Sequence, residues 1–204
     1  MDKRVFDVFF ASIGIIFLFP LFIVIGFIVL FSSRGPVFFI QERVGRDNKN
    51  FYLLKFRTMY VEEIKGPLLT EGVHDPRITT AGFWLRKYKL DEFPQLINVL
   101  IGDMSIVGPR PEVRKYVSMY NTTQQRVLSV KPGITDWASI QFCNESQLLT
   151  SADDPEQFYI KYIMPVKLDR HLEYVDHHNV LIDLQIIVAT IRAIFFYGRH
   201  HTLN

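Results

Sequence analysis

Apolar positions are spread unevenly along the 204-residue chain. From Val8 to Phe31 it reads VFFASIGIIFLFPLFIVIGFIVLF, without a charged residue. About 24 residues at 1.5 Å each make a helix long enough to cross a bilayer core. The run is too long for the apolar part of a signal peptide, and no small-x-small cleavage site follows it. Pro20 sits mid-run, where it removes a backbone hydrogen bond and crowds the preceding turn, so a kink is expected there. Cations flank both ends, Lys3 and Arg4 before the run and Arg34 and Arg43 after it. The excess of Lys and Arg that orients membrane helices therefore favours neither direction. Two readings stay open: a kinked single span, or a re-entrant segment that bends at Pro20 and leaves by the face it entered.

Beyond Gly35-Pro36 the pattern changes. The stretches 37–44 and 50–59 are rich in aromatic and branched residues and are separated by Gly45-Arg46-Asp47-Asn48, which predicts a β-hairpin. Lys55 and Arg57 alternate with Leu54, Phe56 and Thr58 and so share a strand face, which makes either a solvated edge or an anion site. Residues 62–77 lack periodicity and read as a loop. Thr79 or Thr80 can cap a helix through Tyr88. A second helix is expected to begin around Asp91, because Pro94 is tolerated only in a first turn, and to stop at Gly102. A further helix is expected from Glu112 to Leu128, ended by Pro132-Gly133. Pro155 opens another, and the run Val180 to Tyr197, with Asp183, Gln185 and Arg192 in it, suits packing on the core or lying in a membrane interface.

Composition narrows the class. Net charge is +2, far from the basic footprint of a general nucleic-acid binder. The lone cysteine, Cys143, rules out a disulfide within the chain and reads as a packing residue. No Zn²⁺ motif, P-loop, dinucleotide-binding glycine turn or nucleophile elbow occurs. The pairs His177-His178 and His200-His201 are adjacent and do not share a helix face, so they read as surface residues.

The chemistry concentrates in Leu90-Asp91-Glu92-Phe93-Pro94. Asp91 at a helix start is explained by capping alone, with Glu92 favoured by the helix dipole. A helix start is also a phosphate site, and a carboxylate held there can attack phosphorus if cations screen it. Arg86, Arg110, Lys55, Arg57 and Arg77 are available for that, and the two acids offer hard oxygens for Mg²⁺.

Read together, Lys55-Phe56-Arg57-Thr58-Met59, Leu90-Asp91-Glu92-Phe93-Pro94-Gln95-Leu96-Ile97-Asn98-Val99-Leu100, Gly102-Asp103-Met104-Ser105, Val107-Gly108-Pro109-Arg110-Pro111 and Lys131-Pro132-Gly133-Ile134-Thr135 resemble the bacterial sugar transferase family. That family comprises the monotopic polyprenyl-phosphate phosphoglycosyl transferases, and the chain is similar to their small, single-domain type. The order and spacing match over most of the chain, including the apolar segment with its proline.

The resemblance implies an α+β, mainly helical fold. Residues 1–34 would form a re-entrant, proline-broken membrane helix, and residues 35–204 a cytoplasmic catalytic domain with a β-hairpin and interfacial amphipathic helices. It implies transfer of a sugar-1-phosphate from a nucleotide diphosphate sugar, usually a UDP-sugar, to a membrane polyprenyl phosphate such as undecaprenyl phosphate, with release of UMP. That reaction would be the first membrane step of lipid-linked glycan synthesis at the cytoplasmic face of a bacterial inner membrane. Asp91 matches the family nucleophile. Glu92 would act as a base or, with Asp91, as a Mg²⁺ ligand. Arg86 and Arg110 would bind phosphates, with Lys55 and Arg57 on the basic strand and Pro109 and Thr135 lining the substrate site. The bilayer, the donor and the polyprenyl phosphate are the implied partners, and a homodimer is left open. The chain departs from the family pattern in three places: Asp136 follows Thr135 where many members have Gly, the stretch Trp137 to Cys143 differs from the common asparagine- and glycine-rich continuation, and His171 stands where an Asp often precedes Tyr174-Val175. The competing functions are a non-catalytic membrane-anchored interaction module, in which Asp91 is only a cap, and a phosphohydrolase using the same acid.

Overall fold

The computed structural model describes residues 2–61 and 75–200, the last six of these as backbone only. Most of the loop read at 62–77, and the extreme C-terminus from His201, lie outside them. Helix α1 (Lys3–Ser32) is capped by Asp2, which accepts a hydrogen bond from the Arg4 amide. It is unbroken: Pro20 lies inside it, and the chain is not divided into two helices there. A proline deprives only the carbonyl four residues back of its partner, and an apolar run this long supplies enough other turns to hold the helix.

The hairpin forms, but its second strand stops at Phe56 rather than running on to Met59. β1 (Phe38–Val44) and β2 (Asn50–Phe56) pair antiparallel from Phe38 opposite Phe56 to Val44 opposite Asn50, and Asp47 and Asn48 take the left-handed backbone that the turn needs. α2 (Thr80–Lys87) starts where Thr79 accepts from the Gly82 amide. Its outer face exposes Trp84 and Tyr88, stacked on one another with the Lys87 ammonium above both rings. A short 3-10 turn (Leu90–Glu92) precedes α3 (Gln95–Ile101), which ends at Gly102 with φ 110°. β3 (Ser105–Val107) and β4 (Gly133–Thr135) form a second, parallel two-stranded sheet.

The helix expected from Glu112 to Leu128 does not form. Only α4 (Arg114–Val117) and a 3-10 segment (Gln124–Ser129) are helical. Between them Ser118 bonds back to the Lys115 carbonyl, and Asn121 and Gln124 exchange side-chain-to-backbone hydrogen bonds. Such local bonds compete with a continuous helix. Three short helices follow: α5 (Trp137–Gln141), α6 (Glu145–Thr150) and α7 (Pro155–Phe158), the last capped by Asp154 with Pro155 in its first turn. α7 runs through a π-helical turn (Tyr159–Ile163) into α8 (Met164–His177), and α9 (Val180–His200) closes the chain.

α1 is part of the core rather than an appendage. Ala11 packs with Phe51, Leu53, Val99 and Met104, while Ile25 and Val29 pack with Phe56 and Leu85. Polar contacts pin both ends to the same body. At the start, the Arg4 guanidinium donates to the Val99 and Leu100 carbonyls at 2.6 and 2.8 Å. Asp7 accepts from Ser105 Oγ and the Ile106 amide, and Lys3 meets the buried Asp183 of α9. At the far end, Arg57 donates to the carbonyls of Ser33 and Arg34. Between these anchors lies an exposed apolar face that includes Ile16, Phe17 and Phe19, with Phe17 79% exposed.

Candidate active site

The acidic pair stands in the 3-10 turn between α2 and α3, after Lys89 in left-handed backbone (φ 56°). Asp91 is therefore not the cap of α3, which Pro94 precedes without any side-chain cap. The expected Asp91-capped helix gives way because Pro94 has no amide hydrogen for a cap to meet. Asp91 is 6% exposed, and its Oδ1 is buried without a hydrogen-bond partner. A capping role would have satisfied that oxygen with a backbone N–H.

Glu92, also buried, is fully engaged. Arg110 reaches it with both terminal nitrogens, Nη2 to Oε1 at 2.5 Å and Nη1 to Oε2 at 3.2 Å, and Lys55 Nζ lies 3.0 Å from Oε1. Burial alone pushes the Glu92 carboxyl up, but Arg110 and Lys55 outweigh it and hold it well below its ordinary value. Asp91 moves the other way. Burial raises its pKa and Glu92 adds to the rise, against the opposing charges of Lys55, Lys89 and Arg86. Two adjacent carboxyls are thus driven apart, Glu92 toward permanent ionisation and Asp91 toward a more basic oxygen.

Three elements bring the cations in. Lys55 is the last residue but one of β2, and Arg86 the last but one of α2, with its Nε on Thr58 Oγ1 at 2.8 Å. Arg110 projects from the Gly108-Pro109-Arg110-Pro111 turn after β3. That turn lies on β4: the Gly133 amide donates to the Pro109 carbonyl, and the Gly108 amide to Thr135. A Cβ on Gly133 would come within 2.1 Å of Gly108 N, so this approach needs glycine.

Other residues read from the chain are placed elsewhere. Arg57 is not in the cluster, because it lies just past the end of β2 and its guanidinium is spent on the carbonyls that end α1. Thr135 Oγ1 bonds Thr190 of α9 at 2.7 Å, and Arg77 is paired with Asp75. Cys143 is half-buried after α5, and His177 and His178 sit exposed at the end of α8.

Some positioning residues escaped the sequence reading. Asn98 acts as a stand-in for a strand: its Oδ1 accepts from the Leu54 amide at 3.0 Å and its Nδ2 donates to the Tyr52 carbonyl at 2.8 Å, which docks α3 beside β2. Arg43 donates to the Pro111 carbonyl at 3.1 Å and sits 3.7 Å from Glu112, supporting the Arg110 turn from β1. Their polarity inside apolar surroundings is the only signal that could have marked them.

For Mg²⁺, Asp91 Oδ1 is a hard oxygen with no competing donor, whereas both oxygens of Glu92 are taken by cations. Among the described residues, no group of three or more His, Cys, Asp and Glu side chains is arranged to hold a metal. The residues fit an ion with one protein carboxylate and the remaining positions left to substrate phosphate and water, a common arrangement for Mg²⁺.

A family model described as bacterial sugar transferase matches residues 1–197. The chain belongs to that family. Among its relatives, the exopolysaccharide production protein ExoY of Sinorhizobium fredii is 35% identical, the alignment covering 95% of this chain and 85% of ExoY. The UDP-glucose:undecaprenyl-phosphate glucose-1-phosphate transferase of Xanthomonas campestris is 36% identical over 92% of this chain. The UDP-N-acetylgalactosamine-undecaprenyl-phosphate N-acetylgalactosaminephosphotransferase of Aeromonas hydrophila is 34% identical over 94%. This sugar transferase spans only 37% and 43% of the length of those last two.

Proposed function

We propose that this sugar transferase moves a sugar-1-phosphate from a UDP-sugar to undecaprenyl phosphate by way of a covalent phosphosugar on Asp91. The observation that carries the reading is a buried carboxylate, one oxygen unpartnered, set among Lys55, Arg86 and Lys89, beside a Glu92 that Arg110 holds. In the first step an Asp91 oxygen attacks the phosphorus that bears the sugar. The new Asp–O–P bond forms as the bond to the bridging oxygen breaks, and UMP leaves with that oxygen and the electron pair. In the second step an oxygen of the polyprenyl phosphate attacks the same phosphorus and expels the Asp91 carboxylate, giving the polyprenyl diphosphate sugar.

Like charges would repel a carboxylate from a diphosphate, so the cations do most of the work. Arg86 and Lys89 screen Asp91, while Arg110 and Lys55 hold Glu92 ionised and stand where donor phosphates can share their free N–H groups. A bound Mg²⁺ would neutralise further charge on the donor diphosphate. Burial also favours the chemistry, since a poorly solvated carboxylate is a stronger nucleophile and water is kept from the acyl phosphate.

Membrane attachment belongs to the same reading. The contacts at Arg4, Asp7 and Lys3 and those at Val29, Ser33 and Arg34 hold both ends of α1 on one body, which supports a monotopic seating over a span. The exposed Ile16, Phe17 and Phe19, next to Pro20, would reach deepest into one leaflet.

The test is release of UMP from a panel of UDP-sugars, with and without undecaprenyl phosphate and with and without Mg²⁺, joined to intact-mass analysis of donor-loaded protein. A phosphosugar mass on the Asp91 peptide is the expected result. Free sugar phosphate formed without lipid would point to hydrolysis, and an adduct on another residue would end the nucleophile assignment. Cysteine labelling at residues 2 and 34 from one side of the membrane tests the seating, and labelling from opposite sides would refute it.

A further inference from the structure

The turn that presents Arg110 has an unusual shortage of donors. Pro109 and Pro111 carry no amide hydrogen, so the Arg110 N–H is the sole backbone donor of these three residues. It goes to a side chain: Asp136 Oδ2 accepts it at 2.8 Å. Asp136 is 1% exposed, and its Oδ1 accepts the Ser139 amide at 2.6 Å, capping α5. On its far side His171 of α8, also buried, brings Nε2 to 3.3 Å from Oδ2. The order in space is then His171, Asp136, Arg110, Glu92 and Lys55.

We propose that Asp136 is a positioning residue for the transfer reaction, fixing the Arg110 backbone so that the guanidinium meets Glu92 with both nitrogens, with His171 as the buried group that faces its charge. The inference rests on the transferase reading above. A long arginine side chain has many rotamers, and a two-point contact with Glu92 requires the backbone it hangs from to be set in direction. The neighbouring carbonyls are tied to Gly133 and to Arg43. The amide between them is tied to Asp136 alone, which makes this acid the point where α5 and α8 act on the active site. Through His171 the same acid also meets α8.

A double-mutant cycle separates positioning from general support of the fold. Asp136→Ala should lower kcat/KM for UMP release by about 10-fold or more in the wild-type background, with most of the loss in kcat. In an Arg110→Ala background the same change should cost less than about 2-fold, because the group it positions is gone. Asp136→Asn, which keeps the size and one acceptor, should give a smaller loss with the same coupling, and it carries the cycle if the alanine variant does not fold. Equal factors in the two backgrounds, or full activity per folded molecule in Asp136→Asn and Asp136→Ala alike, would overturn the proposal. Hydrogen exchange supplies a readout free of activity. In a peptide spanning 108–111 the prolines are silent, so faster exchange at Arg110 in Asp136→Asn is the expected result and unchanged exchange would count against it. If the wild-type protein released no nucleotide from any donor, the transferase reading would fail while the exchange result still judged the Asp136 contact.

Discussion

Replacing Asp91 with Asn should abolish turnover and, at neutral pH, make the protein more stable. The side chains are nearly the same size, so the perturbation is the removal of one charge from a buried site. When ionised, Asp91 holds an oxygen that no donor meets, beside the negative Glu92. Burial first, and Glu92 after it, raise its pKa, and Lys55, Lys89 and Arg86 do not compensate. A carboxyl whose native pKa lies above its unfolded one binds more protons in the native state between the two values. The stability it confers is therefore fully present below the unfolded pKa and is lost as pH rises through the native one. An unsatisfied buried polar atom costs about 1–3 kcal/mol, and more if charged. Asn escapes the charged part, so the variant should gain about 1–3 kcal/mol near neutral pH and almost nothing below about pH 4, where the free carboxyl is protonated in both states. At about 2–4 °C per kcal/mol for a chain of this size, Tm should rise by roughly 2–12 °C. Thermal unfolding in detergent followed by tryptophan fluorescence from about pH 4 to pH 8, with UMP release measured on the same samples, reads both effects. An Asn variant that is less stable at the alkaline end, or a difference that ignores pH, would refute the electrostatic account; residual turnover would refute the chemical one.

Glu92→Gln should have the opposite sign. It strands Arg110 and Lys55, costing about 3–5 kcal/mol of stability. Because the native pKa of Glu92 is held low, its contribution is present above the unfolded carboxylate pKa and is lost as pH falls through the native value, so urea midpoints of variant and wild type should converge on acidification. Gly133→Ala drives a Cβ into the Gly108 backbone, which cannot swing aside, and should cost about 1–3 kcal/mol together with most of the UMP release as the Arg110 turn is displaced. Asn98→Leu keeps the bulk but orphans the Leu54 amide and the Tyr52 carbonyl, at about 1–3 kcal/mol for each. Denaturant titration gives the total, and faster amide exchange at Leu54 identifies the cause.

Much of the scaffold was legible along the chain because its signals are local. The apolar run, the hairpin with its Asp-Asn turn, the Thr79 cap, the Gly102 stop and the Pro155 start each depend on neighbours within a few residues. Where local signals compete, periodicity does not decide the outcome. The pattern from 112 to 128 looks helical, but Ser118 and Asn121 offer the backbone other partners, and the helix breaks up. Around Asp91 the residue types suited a cap, and the left-handed Lys89 with Pro94 produced a tight turn instead.

For the site, the order of residues shows which chemistry is on hand: two adjacent acids, a set of cations and a family pattern that joins them. Which cation meets which acid is set by the packed fold. Lys55 and Arg57 are two residues apart, yet the first reaches Glu92 and the second ends a helix, because strand β2 stops between them. Likewise the pairing of Asp136 with Arg110 and His171 joins positions 26 or more residues apart in the chain, a relation no local pattern records. Periodicity and capping are short-range and can be read in order along the chain. Charge pairing inside a protein depends on distances of a few ångströms that only the packed fold sets.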